Sequence, residues 1–296
     1  MRVVLISKAM LNATAQKKAD LLAARPDVEL TVVSPPFWRA DDGGTQRIEP
    51  VERHNWTMAV APMWLNGHFH VHAYPTLASI LRERMPDVVH IDEEPFNLAT
   101  YQAMRLAQRN GARALFTTWQ NLYRQYPPPF AWMEQYNYRH TRYVLAANAD
   151  AVGVLRRKGY AGPAAVFPQF GVDTELFVPR PHPAGAPLRI GYVGRLRPEK
   201  GVELLVRAFA PMAARAELII LGRGPTEPEL RALAQRLNIA GRVHFMGGLE
   251  SGQVATSMAS LDILVLPSLT QSNWTEQFGR VLVEAMACAV AVVGSS

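Results

Sequence analysis

Cysteine is almost missing from this 296-residue chain: Cys288 stands alone and has no partner for an internal disulfide. That excludes a disulfide-stapled secreted scaffold and points to a cytoplasmic protein. Long apolar runs are missing too. The longest, residues 285–293, is about half of the roughly 18 residues that suggest a bilayer span, so no transmembrane helix is expected. The first apolar run, 3–6, meets Ser7 and Lys8 before the core of a signal peptide can form. No charge run stands out. The net charge of +6 is spread along the chain without a dense basic stripe, which argues against a nucleic-acid partner. What is present is ordinary globular composition, 49% hydrophobic and 19% charged. The length lies near the roughly 250 to 300 residues at which one core gives way to two domains.

The N-terminal half alternates short β-branched runs with helix-period segments, as parallel βαβ units do. Strands are predicted over 3–7, 29–33, 88–91, 114–118, 151–155 and 164–167, and helices over 16–24, 98–109 and 130–148. Pro179, Pro181, Pro183 and Pro187 remove backbone donors and mark an interdomain linker. Beyond it, strands are predicted over 188–193, 217–221, 243–246, 263–266 and 290–293, and helices over 202–210, 227–237 and 278–287. The expected architecture is two successive doubly wound α/β domains, 1–178 and 188–296, facing across a cleft.

Three stretches of the second half carry chemistry. Gly191, Gly194, Arg195, Lys200 and Gly201 sit between a strand and a helix, where glycines allow a tight turn and a helix start offers unpaired N–H groups to an anion. Arg195 and Lys200 add a forked donor and a point charge; a solvated basic turn is the other reading. Gly222-Arg223-Gly224 begins a G-x-G, but Glu227 stands where the third glycine belongs, so a nicotinamide-dinucleotide fingerprint is absent and a tight strand-to-helix turn is expected. Glu276 and Glu284 are eight positions apart. At roughly 1.5 Å per helical residue that is about 12 Å, beyond the about 5 to 9.5 Å of glycosidase carboxylate pairs. The spacing suits gripping two ends of an elongated ligand, or two ordinary helix glutamates.

In order and spacing, Gly194-Arg195 to Lys200-Gly201, Gly222-Arg-Gly-Pro, Leu266-Pro-Ser268 and Glu276-Gln-Phe-Gly to Glu284-Ala-Met-Ala-Cys288 resemble glycosyltransferase family 4. The segment from Pro168 through Asp173 to Phe177 looks like the family's entry to the linker. The resemblance implies the GT-B fold, two Rossmann-like domains, and retaining transfer from a nucleotide diphosphate sugar to a carbohydrate or lipid-linked acceptor in envelope polysaccharide or glycolipid synthesis. It further implies that Arg195 and Lys200 hold the diphosphate, Glu284 the ribose and Glu276 the transferred sugar, with Gly194 and the backbone at Phe278 and Gly279 also at the donor. Fixed cations and N–H groups would then stabilise the departing diphosphate. No D-x-D occurs, so neither a metal nor a cofactor is expected. A non-catalytic sugar-nucleotide-binding fragment is the alternative.

The chain also departs from the family. Ser7-Lys8-Ala9-Met10-Leu11-Asn12 replaces a Gly-Gly turn, and Thr118-Trp119-Gln120-Asn121 stands where a histidine is usual. The second domain stops at Ser296, where the family continues, which implies a truncated C-terminal domain. Thr118, Trp119, Gln120 and Asn121 are acceptor-side candidates, as are Glu93 and Glu94 beside Asp92 at a strand end; a solvated acidic turn is the competing reading for the carboxylates. His68, His70 and His72 alternate and share one face if in a strand, but no acidic or cysteine partner is spaced for a metal. The aromatic and basic interleaving from Tyr123 to Tyr143 is read as one helical core face (Phe130, Met133, Tyr136, His140, Tyr143), with peripheral contact to the inner face of a membrane as the other reading.

Overall fold

The computed structural model describes every residue except 40–43, 50, 51, 53, 54, 169, 170, 182–184, 213–215, 250, 273 and 296. Pro183 of the expected linker, Gln169 and Phe170 of the family-like segment, and Ser296 thus lie outside the described residues. The chain divides into two compact units, Met1–Pro168 and Gln169–Ser296.

The first unit runs β1 (Arg2–Ile6), α1 (Ala13–Ala23), β2 (Glu29–Ser34), β3 (Phe37–Arg39), β4 (Thr45–Arg47), β5 (Trp56–Val60), α2 (Leu77–Arg84), β6 (Val88–Ile91), α3 (Leu98–Arg109), β7 (Arg113–Thr118), α4 (Phe130–His140), β8 (Tyr143–Ala146), α5 (Ala149–Arg157) and β9 (Ala164–Val166). Seven strands form one sheet in the order β5-β2-β1-β6-β7-β8-β9, parallel throughout. Alternate residues of β1 serve opposite faces. Val4 and Ile6 join a core with Leu77, Leu81, Ala103 and Met104 of α2 and α3, whereas Leu5 joins a second core with Ala19 and Ala23 of α1. Helices therefore cover both faces, and the strands read as continuous apolar runs.

The second unit continues with β10 (Leu188–Val193), α6 (Val202–Phe209), β11 (Ala216–Leu221), α7 (Glu227–Arg236), β12 (Val243–Gly247), α8 (Ser251–Met258), β13 (Ile263–Leu266), α9 (Arg280–Ala287) and β14 (Ala291–Gly294). Its parallel sheet has the order β12-β11-β10-β13-β14. In α6 the buried residues Val202, Leu205, Val206 and Phe209 fall at i, i+3, i+4 and i+7, one helical stripe. They pack with Leu218 and Ile220 of β11, while Ile219 and Leu221 point to the other face, against Ala255, Met258 and Ala285 of α8 and α9.

In both sheets the order of strands reverses beside the first strand, between β1 and β6 and between β10 and β13. The carboxyl ends at such a switch point are where open α/β sheets bind ligands.

Several expectations are corrected. The helix expected over 130–148 ends at His140; Thr141 turns extended as its cap, and Tyr143–Ala146 enters the sheet between β7 and β9. The strand expected over 151–155 is helix α5, because the Asn148 side chain caps Ala151 N–H at 2.9 Å and Ala151, Val154 and Leu155 share its buried face. The buried face of α4 is Glu134, Asn137 and Tyr138, not the face read as core: Phe130, Met133, Tyr136 and His140 are half-buried and Tyr143 is exposed. The first unit ends about ten residues before position 178, since Val172, Leu176 and Phe177 pack into the second unit with Ile219 and Met258. Strands β3, β4 and β5 and helices α2 and α8 add to the expected elements. No helix among the described residues is long and apolar enough to cross a membrane.

Candidate functional site

In the second unit, glycines bring three loops together. Gly194 and Gly222 have positive φ (+156 and +141), and a Cβ on Gly222 would lie 1.8 Å from the Gly194 carbonyl oxygen. Gly201, at φ +63, lies so close to Pro267 that a Cβ would sit 2.0 Å from its carbonyl oxygen. The loop after β10 is therefore pressed against the loops after β11 and β13. The Tyr192 hydroxyl donates to the Arg195 carbonyl at 2.8 Å, and Leu269 N–H donates to the Glu199 carbonyl at 2.8 Å.

That packing brings Lys200 to Glu276. The Lys200 Nζ lies 2.7 Å from Glu276 Oε2, the Ser268 hydroxyl donates to the same oxygen at 2.8 Å, and the Trp274 ring lies 4.6 Å from the ammonium. Burial pushes the Glu276 carboxyl up, but the hydrogen bonds from Lys200 and Ser268 and the lysine charge outweigh it and hold the group below the usual carboxylate range. Burial also pushes the Tyr192 phenol up, reinforced by the Glu276 charge. Arg195 is exposed, and among the described residues no carboxylate pairs with it. Gly279 starts α9 in the left-handed region, at φ +67, next to the half-buried Phe278. Glu284 is buried on α9 and accepts from Arg280 Nε at 2.9 Å; burial raises its carboxyl against that pairing. Of the expected donor residues, then, the structure joins Lys200 and Glu276 directly, while Glu284 has its own cation.

In the first unit the acceptor-side candidates also meet. Glu93 and Glu94 are buried, 4% and 9% exposed, which overturns the solvated-turn reading. Glu94 takes the Thr118 hydroxyl and the Trp119 N–H, each at 2.7 Å. Burial pushes the carboxyl up to about 7, outweighing these two hydrogen bonds and the charge of Lys8. Burial pushes Glu93 the same way, but it is ion-paired with Lys8 and its Oε1 lies 3.5 Å from His72 Nε2, and it falls to about 2. Gln120 Oε1 accepts from Lys158 Nζ at 3.1 Å, and the same ammonium lies 2.6 Å from the buried Glu134. Asn121 is half-buried in the same loop.

The three histidines do not share a strand face. They lie in a turn region, with His68 exposed and His72 fully buried, stacked edge-on against Trp38 and Tyr74. Among the described residues no cluster of three or more His, Cys, Asp or Glu is arranged to hold a metal ion. Sequence reasoning missed Lys8, Tyr192, Ser268, Trp274 and Lys158 as members of these clusters. A strand-end position was the available signal for Lys8 and Ser268; Trp274 and Lys158 had none.

Residues 176–296 match the family described as glycosyl transferases group 1. The chain is 38% identical over 132 residues to the phosphatidyl-myo-inositol mannosyltransferase of Mycolicibacterium smegmatis, covering 42% of this chain and 32% of that one. It is 31% identical over 239 residues to a GDP-mannose-dependent alpha-mannosyltransferase of Corynebacterium glutamicum, covering 74% and 53%. The chain thus spans about a third to a half of the length of these curated relatives. Anabaena HepE, solved in complex with UDP, shares the fold at TM-score 0.72 and 17% identity, covering 99% of this chain and 80% of that one. The sucrose-phosphate synthase of Thermosynechococcus elongatus does so at 0.70 and 19%, covering 100% and 81%. The chain thus has the GT-B fold, and its second unit carries the match to the group 1 glycosyl transferases across residues 176–296.

Proposed function

We propose that the protein moves a sugar, with retention and without a divalent metal, from a nucleoside diphosphate sugar to a carbohydrate or lipid-linked acceptor. One observation carries this reading: the second unit's switch point places the Lys200 ammonium and the Glu276 carboxylate side by side, a cation for a diphosphate next to an acceptor for sugar hydroxyls. Arg195 and Lys200 stabilise the negative charge that develops on the departing diphosphate, and the N–H groups at the start of α9 add to that field. Glu276 orients the sugar and Glu284 holds the ribose. The relatives named for GDP-mannose and the neighbour solved with UDP make these the two nucleotides to try first. Glu93, Glu94 and residues 118–121 of the first unit bind the acceptor, and the relative named for phosphatidyl-myo-inositol supports a lipid-linked one.

The test is nucleotide release and sugar transfer from GDP-mannose and UDP-glucose, with and without EDTA. Turnover that survives EDTA, and that falls on the order of 10²-fold or more in Lys200→Met or Arg195→Met, is the expected result. A strict Mg²⁺ or Mn²⁺ requirement overturns the metal-independent mechanism.

A further inference from the structure

The two charged groups assigned to different parts of the donor hold each other. Lys200 and Glu276 are largely withdrawn from water, their side chains 15% and 30% exposed. Trp274 closes another side of the ammonium. Its position is set by backbone, because Gln271 N–H donates to the Trp274 carbonyl at 2.7 Å and Trp274 N–H donates back at 3.3 Å, closing a small antiparallel bridge.

We propose that this ion pair is a latch that makes the site favour a sugar-bearing nucleotide over the bare nucleoside diphosphate; the inference rests on the donor-site reading above. A ligand whose polar end is only a diphosphate either takes Lys200 away from Glu276 or shares the ammonium with a carboxylate of its own sign of charge. Taking it away leaves a half-buried carboxylate with the Ser268 hydroxyl and the Gln277 N–H as its neutral donors and no cation, and an unpaired charge withdrawn from water is costly. A ligand that also carries a sugar brings hydroxyl donors to Glu276 as it takes Lys200, so both charges stay satisfied. Exposed Arg195 gives the diphosphate its first contact without breaking any pair. The same arithmetic acts on the product: once the sugar has left, Glu276 competes for Lys200 again and weakens the hold on the nucleoside diphosphate.

The test is calorimetric titration of the full chain with UDP, GDP, UDP-glucose and GDP-mannose, using wild type, Glu276→Gln and Lys200→Met. With Lys200 released, Glu276→Gln binds the bare nucleoside diphosphate about five-fold more tightly, the scale of a part-exposed ion pair. Its affinity for the nucleotide sugar does not rise, so the preference for sugar falls. Lys200→Met weakens both ligands. If Glu276→Gln leaves nucleoside diphosphate affinity unchanged or lower while Lys200→Met still weakens it, the latch is overturned and the donor site stands. If Lys200→Met changes neither ligand, or wild type binds none of the four, the donor-site reading falls and the latch with it. Glu276→Ala replaces the Gln variant if that one does not melt cooperatively. Should neither fold, the Lys200 Nζ resonance of wild type, assigned with Lys200→Met, moves on adding nucleoside diphosphate if the pair opens and stays put if it does not.

Discussion

Glu93 and Glu94 are neighbours in sequence and both are buried, so desolvation pushes both carboxyls up. What separates them is the company each keeps. Ion pairing with Lys8 and contact with His72 hold Glu93 down to about 2, whereas burial leaves Glu94, which has hydrogen bonds from Thr118 and the Trp119 N–H but no ion pair, at about 7. The signs of the two stability contributions are opposite. Folding raises the Glu94 value above its ordinary 4.5, so its contribution is complete below that pH and is lost as pH rises through about 7. Folding lowers Glu93, so its contribution is present above 4.5 and is lost as pH falls through about 2. Between pH 5 and pH 8, ionisation of Glu94 should cost the fold on the order of 2 kcal/mol. Glu94→Gln retains an acceptor for the Trp119 N–H and should flatten that dependence. Urea unfolding of both proteins at the two pH values is the check; an equal loss in wild type and variant would show that Glu94 does not titrate there.

At the scale of elements, the donor-side loops are set by backbone touching backbone. The Gly194 N–H donates to the Leu221 carbonyl at 2.9 Å and the Gly222 N–H to the Gly247 carbonyl at 2.8 Å, so each loop is tied to its neighbouring strand. At Gly222 a side chain meets two obstacles at once, a left-handed φ of +141 and a carbonyl oxygen 1.8 Å from where Cβ would lie. A backbone oxygen cannot swing aside as a side-chain tip can. Gly222→Ala is expected to destabilise the second unit by about 3 kcal/mol or more and to displace the loop that carries Arg195. Gly241→Ala makes a fair control, because nothing lies within 4 Å of its added Cβ. Denaturant midpoints of the two variants decide the matter: a Gly222→Ala loss no larger than that of Gly241→Ala would mean the loops separate freely.

For the whole molecule, each of the four buried clusters among the described residues draws its members from a single unit. Each unit therefore owns a two-faced core, and residues 1–168 and 169–296 expressed separately should each melt cooperatively. Loss of the near-ultraviolet signal in either fragment would show that its core depends on the other. Much of this organisation was legible along the chain. The apolar strands at 188–193 and 263–266, the amphipathic stripe of α6 and the glycines at 194, 201 and 222 are local signals, and local sequence determines them. Strand β8 and helix α5 were misread because four or five apolar residues fit either period and only the Asn148 cap separates them. Glu93, Glu94, Thr118, Lys200 and Glu276 were recognisable as candidates; which of them meet was not. Lys8 reaches Glu93 across 85 positions and Lys200 reaches Glu276 across 76. Those meetings follow from sheet order, β6 beside β1 and β13 beside β10. Sequence by itself determined the run of strands, helices and tight turns, because each depends on residues a few positions apart. Only the tertiary structure decided the partners of the charges, because parallel strands pair through crossovers whose destination is chosen by packing on both faces of the sheet.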